Sequence, residues 1–445
     1  MVLHFSLYVF RFFKGEKMLK SKGIIFLLLA GFIFVGNLSA CTIGAASGRA
    51  TADGRPMIWK TRDTYHKNNE VFYNDEYKYK FIGVINAEEG DPAIWQGVNE
   101  KGFAILNSQS SDLKKFKEYS SDKENGTFMR KALGYCASVA EFEELLKRTN
   151  NAVRETTTNF AVMDAAGEAA IFETANERYR KFDATCPNTA PKGYVARSNF
   201  AFSAGEQNNR SRKKSMARYK RTSKLLESFY ADGKVSYKDI LRGQMRDFSD
   251  KQSKTISVPF RAKWSPEDIY GYVECYYSIC RNSTVSTSVF VGVLDGEDPR
   301  LSTMWTILGQ PAAAVAIPYW PVGKTPVEAD GEVTAPLCDA ALKIKSLLFD
   351  YKKRYIDTFK LRDDKGDGLW KILFPAEDRI FAETEAKLAK WRKSGPEVEE
   401  MLTMENKLAA EVLELLNKTY EKLQTWKPER GKLKEPADKP IKNQP

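Results

Sequence analysis

The chain has 445 residues, 42% hydrophobic and 12% aromatic, which excludes a disordered chain and allows one large domain or two ordinary ones. The formal charge is +11, of which the first forty residues carry +4, leaving +7 spread over the rest. That excess suits an acidic substrate or an anionic surface and argues little for nucleic acid.

Gly23 to Gly36 is a 14-residue apolar run behind Lys17, Lys20 and Lys22. This is an export-signal pattern, too short for a comfortable membrane span. Residues 1–40 are read as a signal peptide, so the product is expected to be periplasmic or secreted. "CTIGAA" then reads as a strand, "SGRATADG" as a turn-rich connection and "PMIWKTRD" as a returning strand that brings Arg62 and Asp63 back toward Cys41. Further hairpins are expected around the turns N-E-K-G, Asn99 to Gly102, and D-A-A-G, Asp164 to Gly167. Helical patterns cover Ser138 to Lys147, Lys214 to Phe229 and Tyr237 to Phe248. Strand patterns return at Ser283 to Leu294 and Leu301 to Trp320. From about Cys338 the chain turns helical, with Val398, Met401, Leu402, Leu408, Val412, Leu415, Leu416 and Leu423 on one face. Interleaved antiparallel strands and helices argue for a layered α+β domain over 41–345, a helical region over 346–425 and a disordered basic tail over 426–445.

Histidine is scarce. His66 is the only imidazole beyond the signal, so a His-rich zinc site is excluded and a cysteine or serine nucleophile can use an imidazole base only at His66. The six cysteines, Cys41, Cys136, Cys186, Cys275, Cys280 and Cys338, form no C-x-x-C pair; one bridge stays open, and Cys275 and Cys280 read as core thiols. Leu38-Ser39-Ala40-Cys41 fits a lipoprotein signal, which would anchor the protein to a membrane through an acylated Cys41. Yet Cys41 opens a strand directly, without a polar spacer. A free α-amine titrates near ~8, close to a thiol's ~8.5, so a terminal cysteine can supply its own base.

Three motifs carry a resemblance. C-T-x5-G-x-A-T-x-D-G with K-T-R-D, "GVNEKGFAILNS" and "SMARYKR", in this order from Cys41 to Arg221, are similar to the N-terminal nucleophile amide hydrolases. Those nearest are the acyl-CoA:6-aminopenicillanate acyltransferase-like group, the choloylglycine hydrolases with penicillin V acylases, and the cysteine dipeptidases. The resemblance implies an αββα sandwich and hydrolysis or acyl transfer of a linear amide through a thioester. It implies Cys41 as nucleophile with its amine as base, Asp63 to hold that amine, and Asn107 and Asn199 as oxyanion donors. Gln109 rivals Asn107, because positions two apart share a strand face. Lys60 sits where choloylglycine hydrolases carry arginine, and Arg62 directly precedes Asp63; which of them lies by the thiol stays open. Arg218 shares a helix face with Leu225 and Phe229, so it needs a buried partner, and in the family such an arginine supports the site. No metal or organic cofactor is implied; "DDKGDG", Asp363 to Gly368, lacks the ligand pattern of a calcium loop. The partner implied is a small N-acyl amide, not a nucleic acid. Membrane attachment follows only where Cys41 is lipidated, and a homo-oligomer stays open. A dipeptidase of the same fold, or a lipid-anchored binding protein without activity, are the alternative readings.

Overall fold

The computed structural model describes residues 40–431 except 88, 90, 91, 111, 114–121, 206–209, 332 and 351–353. The expected signal before Ala40, and the tail beyond Gly431, lie outside the described residues.

In chain order the first strands are β1 (Thr42–Ala46), β2 (Met57–Asp63), β3 (Asn69–Asn74), β4 (Phe81–Asn86), β5 (Gln96–Asn99) and β6 (Ala104–Gln109). Two helices follow, α1 (Asp122–Tyr135) and α2 (Val139–Asn150), then β7 (Thr158–Met163), β8 (Ala169–Thr174), β9 (Tyr179–Asp183) and β10 (Tyr194–Arg197). After α3 (Arg210–Ala231) come β11 (Tyr272–Glu274), β12 (Thr284–Val291), β13 (Thr303–Leu308) and β14 (Ile317–Tyr319). The C-terminal part holds α4 (Pro336–Leu348), β15 (Phe349–Asp350), β16 (Tyr355–Asp357), α5 (Thr358–Leu361), α6 (Leu369–Ser394) and α7 (Val398–Thr425).

Two antiparallel sheets form the centre. One runs β10-β1-β2-β12-β13-β14, the other β3-β4-β5-β6-β7-β8-β9, and β11-β16-β15 make a small third sheet. Alternation along the strands assigns the faces. Ile43 and Ile58 of the first sheet join Val84, Leu106, Ala161 and Ile171 of the second in one core. The far face of the second sheet, Ile105, Phe160 and Phe172, packs on Met129 of α1 and Phe142 of α2. The far face of the first sheet carries Trp305, which meets Phe381 of α6 edge-on at 5.2 Å. Helix, sheet, sheet, helix is therefore the order of layers, the αββα sandwich that the resemblance implies.

Close packing explains Gly44. It pairs with Trp59 across β1 and β2, and a Cβ on it would lie 2.1 Å from the Trp59 ring. The two tight turns form as their sequences predict. Asn99 Oδ1 accepts from the amides of Lys101 and Phe103, and Asp164 Oδ1 from those of Ala166 and Glu168. The long α7 buries Met401, Leu408, Val412, Leu416 and Leu423 of the predicted stripe and leaves Val398, Leu402 and Leu415 half-buried, and its core residues belong to the same cluster as the sheets.

Some expectations change. The helix over Tyr237 to Phe248 shrinks to a π-helical turn, Asp239–Gln244, closed by Met245 N–H on Ile240 O. Downstream of it the Arg246 guanidinium is tied to Glu377, Pro311 O and Ala314 O. The strand pattern from Leu301 to Trp320 breaks at Gly309, whose φ of +79° suits glycine, and at Pro311, giving β13 and β14. The chain is also held past Trp426: Glu429 N–H donates to Asp363, and Arg430 pairs with Asp357. Among the described residues no helix is long and apolar enough to cross a membrane, and the six cysteines are free.

Candidate active site

Cys41 immediately precedes β1 and is buried. The hairpin that the sequence predicts is present, with Ile43 opposite Lys60 and Thr42 opposite Thr61. Opposed residues share a face, so the side chains of Cys41, Ile43, Lys60 and Arg62 point toward the second sheet. Asp63 points the other way, toward the helices.

The inner face settles which cation accompanies the thiol. Pairing between β5 and β6 stops at Gln96 and Leu106. Just beyond, where the strands part, Trp95 O and Asn107 Oδ1 each accept from Lys60 Nζ at 2.7 Å. Burial lowers the Lys60 pKa to about 7, opposed by the Cys41 thiol and reinforced by Arg62. Arg62 is directed elsewhere. Its guanidinium donates to the carboxamide oxygens of Asn69 and Asn86 and lies over the Trp95 ring at 4.6 Å. Of the two, Lys60 is thus the cation electrostatically linked to Cys41, and Arg218 acts on the thiol from the other side.

On the other side, the Cys41 backbone nitrogen donates to Asn199 Oδ1 at 2.7 Å. Arg218 donates to the same oxygen at 2.8 Å and to Ser198 Oγ at 2.7 Å, and Ser198 Oγ donates to Cys41 O at 2.9 Å. Two donors on one atom fix the carboxamide orientation, so Asn199 Nδ2 is left to donate to Gln109 O at 2.9 Å. Asn159 Nδ2 grips Ser198 O and Phe200 O on either side of Asn199. Arg218 is the buried arginine expected from the helix face; burial and Arg281 lower its pKa to about 9.

Asp63 accepts from Thr284 Oγ1 at 2.6 Å and meets Arg281 at 3.3 Å. Burial raises its pKa, while Arg281, Arg218, Thr284 and Lys345 pull it down. Its backbone oxygen, rather than its carboxylate, touches the nucleophile's segment, by accepting from Ala40 N–H at 3.0 Å. The side chain on the Cys41 nitrogen is therefore Asn199, where the resemblance implied Asp63. Asn107 likewise presents its oxygen to Lys60, and its Nδ2 donates to Thr158 Oγ1 at 3.3 Å.

Cys41, Lys60, Asp63, Asn107, Asn199 and Arg218 gather at one end of the first sheet, and Gln109 joins them through its backbone. His66 stands apart on an exposed loop. Cys275 and Cys280 are buried, as expected of core thiols. Asp363 Oδ1 caps its own loop on the amides of Lys365 and Asp367. Four participants were not singled out from the sequence: Ser198, Arg281, Thr284 and Lys345. Only Ser198, beside Asn199, had a local cue.

Residues 50–265, just under half of the chain, match the family model described as acyl-coenzyme A:6-aminopenicillanic acid acyl-transferase. No curated protein sequence matches the chain. Among solved structures, a variant of the conjugated bile acid hydrolase from Clostridium perfringens is similar over 60% of this chain and 89% of its own, at 15% identity and a TM-score of 0.38. Penicillin V acylase from Agrobacterium tumefaciens is similar over 63% and 85%, at 14% identity and a TM-score of 0.33. The Caenorhabditis elegans ortholog of N-acylethanolamine-hydrolyzing acid amidase is similar over 60% and 99%, at 12% identity and a TM-score of 0.34. The family resemblance read from the three motifs is borne out.

Proposed function

We propose that this chain, a relative of the acyl-coenzyme A:6-aminopenicillanic acid acyl-transferases, is an exported cysteine amidohydrolase or acyltransferase whose mature form begins at Cys41. The carrying observation is the placement of the Cys41 nitrogen, held by an asparagine that an arginine orients in turn. Once residue 40 is removed, that nitrogen becomes an amine, and no imidazole is needed to take the thiol proton. The thiolate attacks the carbonyl of a linear amide, N–H donors stabilise the oxyanion, and the protonated amine supplies the departing nitrogen. Water, or a second amine in acyl transfer, then releases the acyl group from the thioester. Lys60 in its protonated form places positive charge near the sulfur, and Asn107 holds Lys60 in place. Arg218 and Asn199 fix the amine.

The substrate class is an N-acyl amide, with a small peptide as the dipeptidase alternative. The buried position of Cys41 at the head of a strand favours a nucleophile over a thioether lipid anchor. Intact-mass analysis of the exported protein is expected to show a free Cys41 as the first residue; a diacylglyceryl adduct overturns the reading. A panel of N-acyl amides is expected to yield a substrate that the wild type turns over. The Cys41→Ala variant should stay folded and lose essentially all turnover, a drop of orders of magnitude.

A further inference from the structure

Three of the residues around Asp63, namely Arg281, Thr284 and Lys345, lie beyond the family match. Register explains how they reach it. Along β12 the pairing with β2 runs Ser286 to Arg62 and Thr287 to Thr61, but Thr284, not Val285, stands opposite Asp63. The extra residue is a β-bulge, a device that re-aims one side chain. It aims Thr284 Oγ1 at the carboxylate, and the turn Arg281 to Thr284, closed by Thr284 N–H on Arg281 O, brings the Arg281 guanidinium to the other oxygen.

A bulge leaves backbone groups without a strand partner. Here the Thr284 carbonyl is taken by Lys345 Nζ of α4 at 3.1 Å. Lys345 is buried, and the groups facing it are Asp63, Lys67 and the thiols of Cys280 and Cys338. Burial lowers its pKa to about 8, so it stays charged at neutral pH. Asp63 in turn is faced by Arg281, Arg218, Lys345 and the Cys280 thiol. A buried lysine bonded to one backbone carbonyl is expensive unless its charge has a use.

We propose that Lys345 is a positioning residue for the reaction: it pins the bulge that sets Thr284 and Arg281 on Asp63, and its charge favours the ionised form of that carboxylate against the pull of burial. This rests on the reading of Asp63 as part of the amide-cleaving site. The arrangement is a property of this chain's residues beyond 265, outside the matched segment.

Two variants test it. In Lys345→Met the cation is lost and the apolar stem is kept, so the protein should fold. Removing a cation beside a carboxylate raises the pH at which the carboxylate takes up its proton, by about 1 unit for a near neighbour. The infrared carbonyl band of the protonated Asp63, identified by its absence in Asp63→Asn, should therefore appear at higher pH in Lys345→Met. The acid limb of kcat should move the same way, and kcat at its optimum should fall about 10-fold with KM within a factor of two. Lys345→Arg should restore the wild-type band position. Should Lys345→Met not fold, Arg281→Gln at the partly exposed edge is expected to show the same shift. An unmoved Asp63 band in the variant that folds, with an active wild type, overturns the inference alone. A wild type inactive on every amide, or a Cys41→Ala variant that keeps activity, overturns the functional reading and leaves the infrared test standing.

Discussion

Lys60 and Asp63 are three residues apart on β2 and face opposite layers of the sandwich. Lys60 is bedded on two neutral oxygens, Trp95 O and Asn107 Oδ1. Asp63 is surrounded by the cations Arg281, Arg218 and Lys345 and by a hydroxyl. Both are buried, yet the consequences differ. Neutral acceptors only partly replace water around an ammonium, so Lys60 changes charge near neutral pH. Ionic neighbours oppose the effect of burial on the carboxylate, which still leaves the Asp63 pKa above its ordinary value. One strand thus supplies a titrating ammonium on the thiol's side and a carboxylate set among cations on the helix side.

The largest test of that contrast is Asp63→Asn. The amide can keep the Thr284 contact but carries no charge. If fixed charge is what the helix-facing side supplies, kcat should fall at least ~100-fold, the usual scale for disturbing acid–base catalysis. A loss under tenfold, measured at the pH optimum, would reduce Asp63 to a packing role.

Lys60 comes next. Lys60→Met should lower kcat/KM by roughly 10- to 100-fold, the scale of one lost electrostatic stabiliser. In wild type the rate should fall as pH rises past about 7, where Lys60 loses its proton. Lys60→Arg, whose guanidinium does not titrate there, should hold its activity to higher pH. Stability gives an independent reading. The Lys60 value lies below its ordinary 10.5, so between about 7 and 10.5 the unfolded chain binds more protons and stability rises with pH. Denaturant midpoints of Lys60→Met should lack that share of the slope. An identical slope in both proteins would show that Lys60 is not titrating in this window.

His66→Gln should have the smallest effect. The residue is exposed on a loop outside the network, so kcat should stay within about twofold of wild type. Inactivity of this variant beside a near-normal Asp63→Asn would move the base to the imidazole.

The β1–β2 hairpin, the N-E-K-G and D-A-A-G turns and the stripe on α7 are legible because each is a local pattern. Strand alternation, an Asn or Asp that caps its own turn and a helical repeat all act within a few residues. Cys41 and Arg218 could be named on the same basis, from a strand start and a polar residue on an apolar helix face, whereas Asp63 rests on what the resemblance implies. Their partners could not. Asn199 meets Cys41 across 158 positions, and Thr284 meets Asp63 across 221. Those meetings depend on where β12 inserts and on a bulge of one residue, which no nearby residue announces. The choice between Lys60 and Arg62 was also beyond the sequence, because both lie on one strand face. Their environments diverge only where β5 ends. β3 escaped notice because Asn69, Glu70 and Asn74 are polar residues buried on a strand, against the usual alternation.

The strand ladder does not stop at the proposed first residue of the mature enzyme. Ala40 N–H still pairs with Asp63 O, so the Ala40–Cys41 peptide bond lies within the hydrogen-bonded hairpin. A peptidase threads its substrate through a narrow cleft as a bare, extended strand, and a strand already paired on one side does not fit there. If the mature enzyme begins at Cys41, as proposed, release of the amine is expected to precede closure of the hairpin. Maturation would then be a race between two clocks. A chain that folds before it is trimmed would be well packed and inert, because its nitrogen would remain a peptide amide with no basicity to offer.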